Sequence, residues 1–354
     1  MVSPWGGRRV FLTGHTGFKG SWLALWLTRL GARVRGYSLD PWTQPNIFTE
    51  ASVGRLVEDI RGDVLDLARL RASMAEFAPE VVFHLAAQPL VRRSYRDPLG
   101  TYAVNVMGTA HLLETVRQTP GVKAVVCITT DKCYENKEWV WPYRETDALG
   151  GYDPYSSSKA CAELVTAAYR SSYFPVNSLH EHHVGVATAR AGNVIGGGDW
   201  SEDRLIPDLV RGFVSGDPVR IRRPLSIRPW QHVLEPIHGY ILLAERLLKS
   251  EMAFANAFNF GPDDQDTWTV EQIATKLVSL WGNGANWIRD SDPGAHEAGY
   301  LKLDSSKAHT ELKWRPKLSI ECALEWTAAW YRSYTDNVDM QAFTLDQIAR
   351  YEDL

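Results

Sequence analysis

The sequence has few cysteines, no long apolar run and no large excess of charge of either sign. Its four cysteines form no CxxC pair and have no zinc-ligand spacing, which argues against a disulfide framework or a structural zinc site. No apolar run reaches about 18 residues, so we expect no transmembrane helix. The opening MVSPWGGRRVFLTG lacks a signal-peptide pattern. We therefore expect a cytoplasmic protein with reduced thiols.

Charge and histidine content exclude two further classes. The formal net charge is -4, which does not suggest a nucleic-acid-binding protein. His180, His182 and His183 cluster in LHEHHVG, but no acidic partner motif follows them. We interpret them as loop histidines and expect no metal.

What the chain does contain is an alternation of β-rich runs with helical ones. Strand-like runs lie at 8–14, 33–40, 80–87, 123–130 and 184–196, and helical patterns at 19–32, 67–79, 98–119 and 153–173. Further helices are predicted at 235–250, 269–282 and 323–337, with a strand near 258–262. This order predicts an α/β protein with a doubly wound parallel Rossmann sheet. We expect this domain over 1–190, with a return near 230–262, and a smaller, interwoven C-terminal substrate-binding lobe over most of 191–354.

The first turn, TGHTGFKG, is a candidate phosphate-binding loop. Gly14, Gly17 and Gly20 follow a predicted strand and precede a predicted helix. Glycine permits a tight turn and a close approach of the backbone to a pyrophosphate, and the helix N-terminus then faces the phosphate charge. A dinucleotide is therefore the expected cofactor.

Carboxylates after the next two strands bear on the type of dinucleotide. Asp40 ends the second strand, where it can bind a ribose 2′-hydroxyl and would repel a 2′-phosphate. This favours NAD over NADP, although Arg33 and Arg35 are nearby. Asp63 follows a further short strand and either meets the adenine edge or caps the helix after it.

A tyrosine and a lysine share one face of the helix at 153–173. Tyr155 and Lys159 are four residues apart. A tyrosine is a poor base at neutral pH, but a lysine ammonium beside it and a cationic nicotinamide above it would favour the phenolate. Thr130, at a preceding strand end, can share the substrate proton. Asn105 is either a fourth member of this group or a structural polar anchor.

Four motifs carry a family resemblance. TGHTGFKG, HLAAQ, TTDKCY and YSSSK, in this order, resemble the nucleotide-sugar branch of the extended short-chain dehydrogenase/reductase family over nearly the whole chain. The resemblance implies bound NAD, a nucleoside diphosphate sugar as substrate, and a homodimer, or a tetramer, built on the helices at 98–119 and 153–173. The cofactor ligands that it implies are Gly14, Thr16, Gly17, Phe18, Gly20, Asp40, Asp63, Val64, Ala86, Ala87, Gln88, Asn105, Tyr155 and Lys159.

Two later segments resemble the substrate-binding part of that branch. RAGNVIGGGD resembles the loop in which an asparagine, here Asn193, meets the phosphates of the sugar nucleotide, and RPWQHVLEP the segment in which an arginine, here Arg228, binds the diphosphate. Arg220 and Arg222 belong to the same arginine cluster. Guanidinium groups pair well with phosphate oxygens, so we expect this cluster to bind substrate.

The turn after the strand at 123–130 is the discriminating feature. In the 4,6-dehydratases of this branch the turn usually reads Thr-Asp-Glu, and here it reads Thr130, Asp131 and Lys132. The version with lysine, followed by CYEN, is similar to the dehydratases that use CDP-glucose. We expect Asp131 to be the general acid, with a pKa raised by burial, and Lys132 the general base for the proton on carbon 5. Tyr134 and Glu135 are alternative bases.

The expected activity is NAD-mediated conversion of CDP-glucose to its 4-keto-6-deoxy product, in deoxysugar and lipopolysaccharide biosynthesis. Each round of the reaction regenerates NAD. A GDP-mannose or TDP-glucose 4,6-dehydratase and a nucleotide-sugar 4-epimerase are the alternatives. The Asp-Lys turn argues against the epimerase, because epimerases of this branch lack such an acid/base pair.

Overall fold

The computed structural model describes residues 3–263, 266–282, 284–290 and 299–354. Its strands, in chain order, are β1 Arg9–Thr13, β2 Arg33–Ser38, β3 Glu58–Arg61, β4 Val81–His84, β5 Ala124–Ile128, β6 Gly185–Ala191, β7 Val194–Ile195, β8 Val219–Ile221, β9 Ile227–Arg228, β10 Gln231–His232, β11 Ala257–Phe260, β12 Trp268–Thr269 and β13 Trp287–Arg289. Seven of these strands form the central sheet, in the order β11-β6-β5-β4-β1-β2-β3.

All strand pairs of the central sheet are parallel, so the carboxyl ends of its strands meet at one edge. The order reverses direction between β1 and β4, which is where a doubly wound sheet opens a crevice for a ligand. The prediction of a doubly wound parallel sheet is confirmed. The run at 184–196, predicted as a strand that continues into a loop, forms β6 and then the short β7.

The helices, in chain order, are α1 Phe18–Arg29, α2 Ile47–Glu50, α3 Leu67–Phe77, α4 Val91–Arg96, α5 Pro98–Tyr102, α6 Gly108–Arg117, α7 Pro154–Ser172, α8 Leu179–His182, α9 Leu205–Ser215, α10 Leu234–Leu248, α11 Val270–Trp281, α12 Ile320–Thr335 and α13 Met340–Glu352. The helices α1 and α10 pack on one face of the sheet, and α3, α6 and α7 on the other. No helix of the described chain is long and apolar enough to cross a bilayer.

The apolar stripe of α1 shows why the first helix forms where the sequence predicts it. Trp22, Leu23, Trp26 and Leu27 recur at helical spacing and are all buried in the larger core cluster. Burial of each such side chain stabilises the fold by about 1.5–3 kcal/mol before side-chain entropy is subtracted. This packing fixes the helix, and with it the glycine-rich turn at its N-terminus.

The helix predicted over 98–119 is interrupted, and two longer helices, besides the short α2, α4 and α8, were not predicted. A π-helical turn, Ala103–Met107, lies between α5 and α6. The sequence interpretation missed α9 and α13. Several buried positions of α13, such as Thr344 and Gln347, are polar, so its inward face has no clear apolar period.

The second half of the chain returns to the central sheet. The strand β11 pairs with β6, although more than sixty residues separate them. The intervening segment forms short strand pairs, β7 with β10, β8 with β13 and β9 with β12. The division into a dinucleotide-binding domain and an interwoven substrate lobe is a proposal that this path supports.

Candidate active site

A cavity of about 600 Å³ lies at the carboxyl edge of the sheet, between the glycine-rich turn and the segment around α9 and β8. Apart from Asn105 and the alternative bases Tyr134 and Glu135, every site residue predicted from the sequence lines this cavity. They are Gly14, Thr16, Gly17, Phe18, Gly20, Asp40, Asp63, Val64, Ala86, Ala87, Gln88, Thr130, Asp131, Lys132, Tyr155, Lys159, Asn193, Arg220, Arg222 and Arg228.

The glycine-rich turn is closely packed against its surroundings. Gly14 has a φ of +76°, and a Cβ there would lie 2.7 Å from the backbone nitrogen of Ala86. A Cβ on Gly20 would lie 2.0 Å from the carbonyl oxygen of Gly14. The N-cap of α1 is Gly17, and no side chain caps this helix. The helix start is therefore open to a negatively charged group from the cavity, as a pyrophosphate requires.

Asp40 is well placed to meet a ribose. Its side chain is 86% exposed and lies 3.4 Å from the guanidinium of Arg61. Arg33 and Arg35, which left NADP open, both pair with Glu58 on the neighbouring strand, at 3.0 and 2.8 Å. These two cations are therefore engaged away from Asp40, and the cation beside its carboxylate is Arg61.

The sequence left two roles open for Asp63, contact with the adenine edge and capping of the helix that follows. The helix α3 is capped by Asp66, whose side chain accepts from the backbone nitrogen of Arg69, so the capping role assigned to Asp63 is wrong. Asp63 Oδ1 instead accepts from the backbone nitrogen of Leu65 at 2.9 Å. This bond holds the carboxylate at the cavity wall, where contact with an adenine stays a prediction.

Asn105 lies behind the cavity wall, and its expected place among the cofactor ligands needs correction. Its side-chain amide donates to the carbonyl of Gln88 at 3.1 Å and to the hydroxyl of Ser158 at 2.8 Å, and its oxygen accepts from the backbone nitrogen of Gln88 at 2.8 Å. Asn105 is buried. It is thus the polar anchor that joins the strand-end loop to α7.

The turn Thr130–Lys132 forms the centre of the site. The hydroxyl of Thr130 donates to Asp131 Oδ1 at 2.9 Å, whereas Asp131 Oδ2 is buried and has no hydrogen-bond partner in the described part of the chain. Burial raises the pKa of Asp131, and the charge of Lys132 and the Thr130 bond lower it less. A carboxyl group in this environment favours the protonated form that a general acid needs. Lys132 is half-buried at the same wall.

Tyr155 and Lys159 lie beside this turn. Burial raises the pKa of Tyr155 to about 12, while a hydrogen bond with Thr130 and the charge of Arg204 oppose the rise. Burial lowers the pKa of Lys159 to about 8, and its ammonium donates to the carbonyl of Ile128 at 3.3 Å. Arg204 is thus a cation that lowers the pKa of Tyr155 in this structure, which the sequence interpretation did not foresee, and the assistance expected from Lys159 stays a prediction.

A buried polar network supports the catalytic turn from behind. Glu163 accepts from the hydroxyl of Thr188 and pairs with Arg190 at 2.8 Å, and it also accepts a short hydrogen bond from Thr129. The hydroxyl of Tyr134 accepts from Arg190 at 2.8 Å. This network ties β5, β6 and α7 together directly below the strand-end turn.

The same network decides against the alternative bases. The hydroxyl of Tyr134 donates to Asn259 at 2.7 Å, and burial raises its pKa far above the usual range. Glu135 is exposed and lies 3.6 Å from Lys137. Neither Tyr134 nor Glu135 lines the cavity. Lys132 is therefore the better candidate for the base.

The sequence interpretation missed several charged residues of the cavity. Arg204 pairs with Asp199 at 2.8 Å and acts on Tyr155, as described above. Lys19, inside the glycine-rich turn, has its pKa lowered to about 7 by burial and by Arg204. A cation within a phosphate loop was a readable signal for Lys19. Arg204 immediately precedes the unpredicted helix α9, so only the fold places it here.

The histidine cluster lies away from this cavity. His182 Nε2 lies 3.0 Å from the carbonyl of Pro175, and its Nδ1 accepts from the backbone nitrogen of Val184 at 3.0 Å. Both ring nitrogens are thus engaged by backbone. Among the described residues no group of three or more His, Cys, Asp or Glu side chains is arranged to hold a metal ion.

The parallel sheet with Thr130, Tyr155 and Lys159 at its carboxyl edge is the arrangement that the sequence resemblance predicted. A family model described as GDP-mannose 4,6 dehydratase matches residues 11–327. The chain belongs to this family, the nucleotide-sugar dehydratase branch of the extended short-chain dehydrogenases and reductases.

Individual relatives agree with this assignment. The chain is 54% identical to the CDP-glucose 4,6-dehydratase of Salmonella typhimurium over 347 residues, which cover 98% of this chain and 97% of that one. A solved UDP-glucose 4-epimerase from Thermotoga maritima has a TM-score of 0.80 at 23% identity and covers 92% and 99% of the two chains. A solved dTDP-glucose 4,6-dehydratase from Streptomyces venezuelae, with NAD bound, has a TM-score of 0.78 at 24% identity and covers 94% and 99%. These two structures support the fold alone.

Proposed function

We propose that this chain is a CDP-glucose 4,6-dehydratase that uses NAD as a regenerated cofactor. The observation that carries the proposal is the turn Thr130–Lys132, which presents a buried carboxyl and a lysine to the cavity that Tyr155 lines. The 54% identity to a CDP-glucose 4,6-dehydratase over nearly the whole chain supports the substrate assignment.

The residues at the first half of the cavity fit NAD. Gly14 and Gly20 leave no room for a side chain, so the backbone can approach a pyrophosphate closely. The start of α1 carries no side-chain cap and can accept the phosphate charge. Asp40 at the end of β2 suits a ribose with a free 2′-hydroxyl.

The side chains in the second half of the cavity have separate roles in the reaction. When bound, NAD supplies the hydride acceptor for carbon 4 of the glucose ring and the hydride donor for carbon 6. Tyr155 removes the proton of the 4-hydroxyl, with Thr130 sharing it and Arg204 favouring the phenolate. Lys159 holds the nicotinamide ribose. Formation of the 4-ketone makes the hydrogen on carbon 5 acidic.

The elimination of water then requires an acid and a base on one substrate. Asp131 donates its proton to the departing 6-hydroxyl, and its unpartnered Oδ2 is the atom available for this contact. Lys132 removes the proton from carbon 5 and later returns a proton there. A general base of this kind must be neutral when it acts, so Lys132 has to give up its own proton before it takes the proton from carbon 5.

Incubation of the purified protein with NAD and a nucleotide sugar tests the proposal. CDP-glucose, UDP-glucose, dTDP-glucose and GDP-mannose are supplied separately, and the 4-keto-6-deoxy product is detected by its ultraviolet absorbance in alkali. Product from CDP-glucose is expected. Product from another nucleotide sugar alone would overturn the substrate assignment, and an epimerised sugar in place of the keto product would overturn the reaction.

We also propose that the chain forms a homodimer through α5, α6 and α7. Leu99 is 81% exposed, and Met107 at the end of the π-helical turn and Leu164 on α7 are also exposed. Neighbouring helices with such side chains can pair with a second copy across a two-fold axis. Leu99→Glu combined with Leu164→Glu should give a monomer by analytical ultracentrifugation. Val338→Glu, at an exposed position on another surface, is the matched control, and an unaltered dimer in the double variant would exclude this interface.

A further inference from the structure

The proposed function does not say which residues recognise the nucleoside base of the substrate. If the nicotinamide ends at Tyr155, the glucose lies at Thr130–Lys132 and the diphosphate at Asn193 and Arg228. The base must then occupy a part of the cavity that these residues leave open. The remaining lining includes the first turn of α9, residues 205–208, and β8, residues 219–221.

Asp208 is the charged side chain that the first turn of α9 contributes to this wall. Its side chain is 39% exposed. One carboxylate oxygen, Oδ1, accepts a short hydrogen bond from Arg211, three residues further along the helix. The structure assigns no hydrogen-bond partner to the second oxygen, Oδ2, within the described ranges. A held carboxylate with one open oxygen is an acceptor for a donor from the cavity.

Arg222 lines the same cavity as Asp208 and can donate hydrogen bonds there. Burial raises the pKa of Asp208, and the bond and charge of Arg211 and the charge of Arg222 lower it. Arg222 also lines the cavity and lies 4.0 Å from Asp203. Asp203 itself pairs with Arg92 at 2.8 Å. Because two arginines contact Asp203, its charge is already compensated before a base arrives.

An acceptor beside a donor matches the edge of cytosine. Cytosine presents the N4 amino group as a donor next to the N3 and O2 acceptors, whereas uracil and thymine present the O4 acceptor in place of the amino group. A carboxylate accepts from N4 and repels O4. We propose that Asp208 reads the cytosine base by accepting from its N4 amino group, and that it sets the preference for a CDP-sugar over UDP- and dTDP-sugars.

Nucleotide binding to the full-length, NAD-loaded protein tests this inference. The Kd of CDP, UDP, dTDP and GDP is measured by calorimetry for the wild type and for Asp208→Asn. The amide keeps the size of the side chain but places a donor beside the base. Loss of a hydrogen bond to a charged group should weaken CDP binding by about ten- to a hundredfold. UDP binding should stay equal or become tighter.

Asp217→Asn is the matched control. Asp217 lies just after α9, outside the cavity lining, and accepts from the hydroxyl of Ser215. It should leave all four affinities unchanged. The kcat with CDP-glucose should also be nearly unchanged in Asp208→Asn while KM rises, because the base lies at the far end of the substrate from the reacting carbons.

The outcomes separate this inference from the proposed function. A wild type that prefers CDP, with a CDP-to-UDP ratio that Asp208→Asn leaves unchanged, would overturn the role of Asp208 alone. A wild type that prefers another nucleotide would overturn the proposed substrate and this inference together. An equal loss of CDP and UDP affinity would show that Asp208 supports the fold of the wall and does not read the base.

Discussion

Replacement of Asp131 by asparagine should separate the two halves of the proposed reaction. Asparagine has the same shape, and its side-chain oxygen can still accept the hydrogen bond of Thr130 that is 2.9 Å long in the structure. It cannot protonate a leaving group. The oxidation at carbon 4 should therefore proceed, while the elimination of water should not.

The size of the effect follows from the environment of Asp131. Its Oδ2 is buried without a partner, and burial raises its pKa, so the proton is available where the 6-hydroxyl must leave. General acid catalysis contributes about a hundred- to ten-thousandfold. The rate of product formation in Asp131→Asn should fall by about this factor. Overall stability should change little, because asparagine keeps the shape of the side chain and can accept the hydrogen bond from Thr130.

A single-turnover experiment measures both halves. Enzyme, NAD and CDP-glucose are mixed, and the reduced cofactor is followed by its absorbance while the product is sampled by quenching. In Asp131→Asn the reduced cofactor should accumulate while product lags. Glu135→Gln, an exposed neighbour outside the cavity, is the control and should behave as wild type. Product formation within about threefold of wild type would refute the acid role.

Three further predictions concern other parts of the molecule. Lys132→Met should reduce deuterium exchange at carbon 5 in heavy water by about a hundredfold or more, and unchanged exchange would assign the base elsewhere. Gly14→Ala places a Cβ 2.7 Å from the backbone nitrogen of Ala86 at a φ of +76°. The affinity for NAD, measured by fluorescence, should therefore fall by at least about tenfold, while the affinity for CDP is retained. An unchanged affinity for NAD would contradict the placement of the pyrophosphate. The third prediction is a pH dependence of stability. Burial raises the pKa of Glu235 to about 7 in the folded protein from an ordinary 4.5, so its contribution to stability is present below about 4.5 and is lost as the pH rises to about 7. At about 1.4 kcal/mol per unit the loss is roughly 3 kcal/mol; Glu235→Gln should flatten this part of the unfolding free energy against pH, and an equally steep profile would contradict the assignment.

Glu235 also shows how the C-terminal helix is held. Its carboxylate accepts from the hydroxyl of Tyr351 on α13 at 2.6 Å and from the backbone nitrogens of Lys317 and Leu318 at 3.0 and 2.8 Å. The adjoining Glu352 accepts from Trp26 on α1 at 2.7 Å. These contacts join α13 to both α10 and α1.

Local pattern alone was enough for the strands of the parallel sheet and for a few residues of the cavity wall, whereas Asn193 and Arg228 were predicted from the family resemblance. The predicted strands are short apolar runs, and parallel strands buried on both faces have this composition because helices cover each face. Glycine at Gly14, a carboxylate at Asp40 and the pair Tyr155 and Lys159 each follow from the position of a residue relative to a strand end or along a helix. Such positions depend on spacing along the chain, so the sequence determined them by itself.

Tertiary structure decided which candidates act together. Asn105 and Tyr134 are polar residues close in sequence to the site, yet both are directed into buried networks and neither reaches the cavity. Arg204 and Asp208 precede or begin a helix that the sequence interpretation missed, and the fold brings both to the cavity wall. Burial, which sets the pKa of Asp131, arises from packing of segments far apart in the chain. Hydrophobic periodicity reports which way a side chain points within its own element, but only packing between elements determines what that side chain meets.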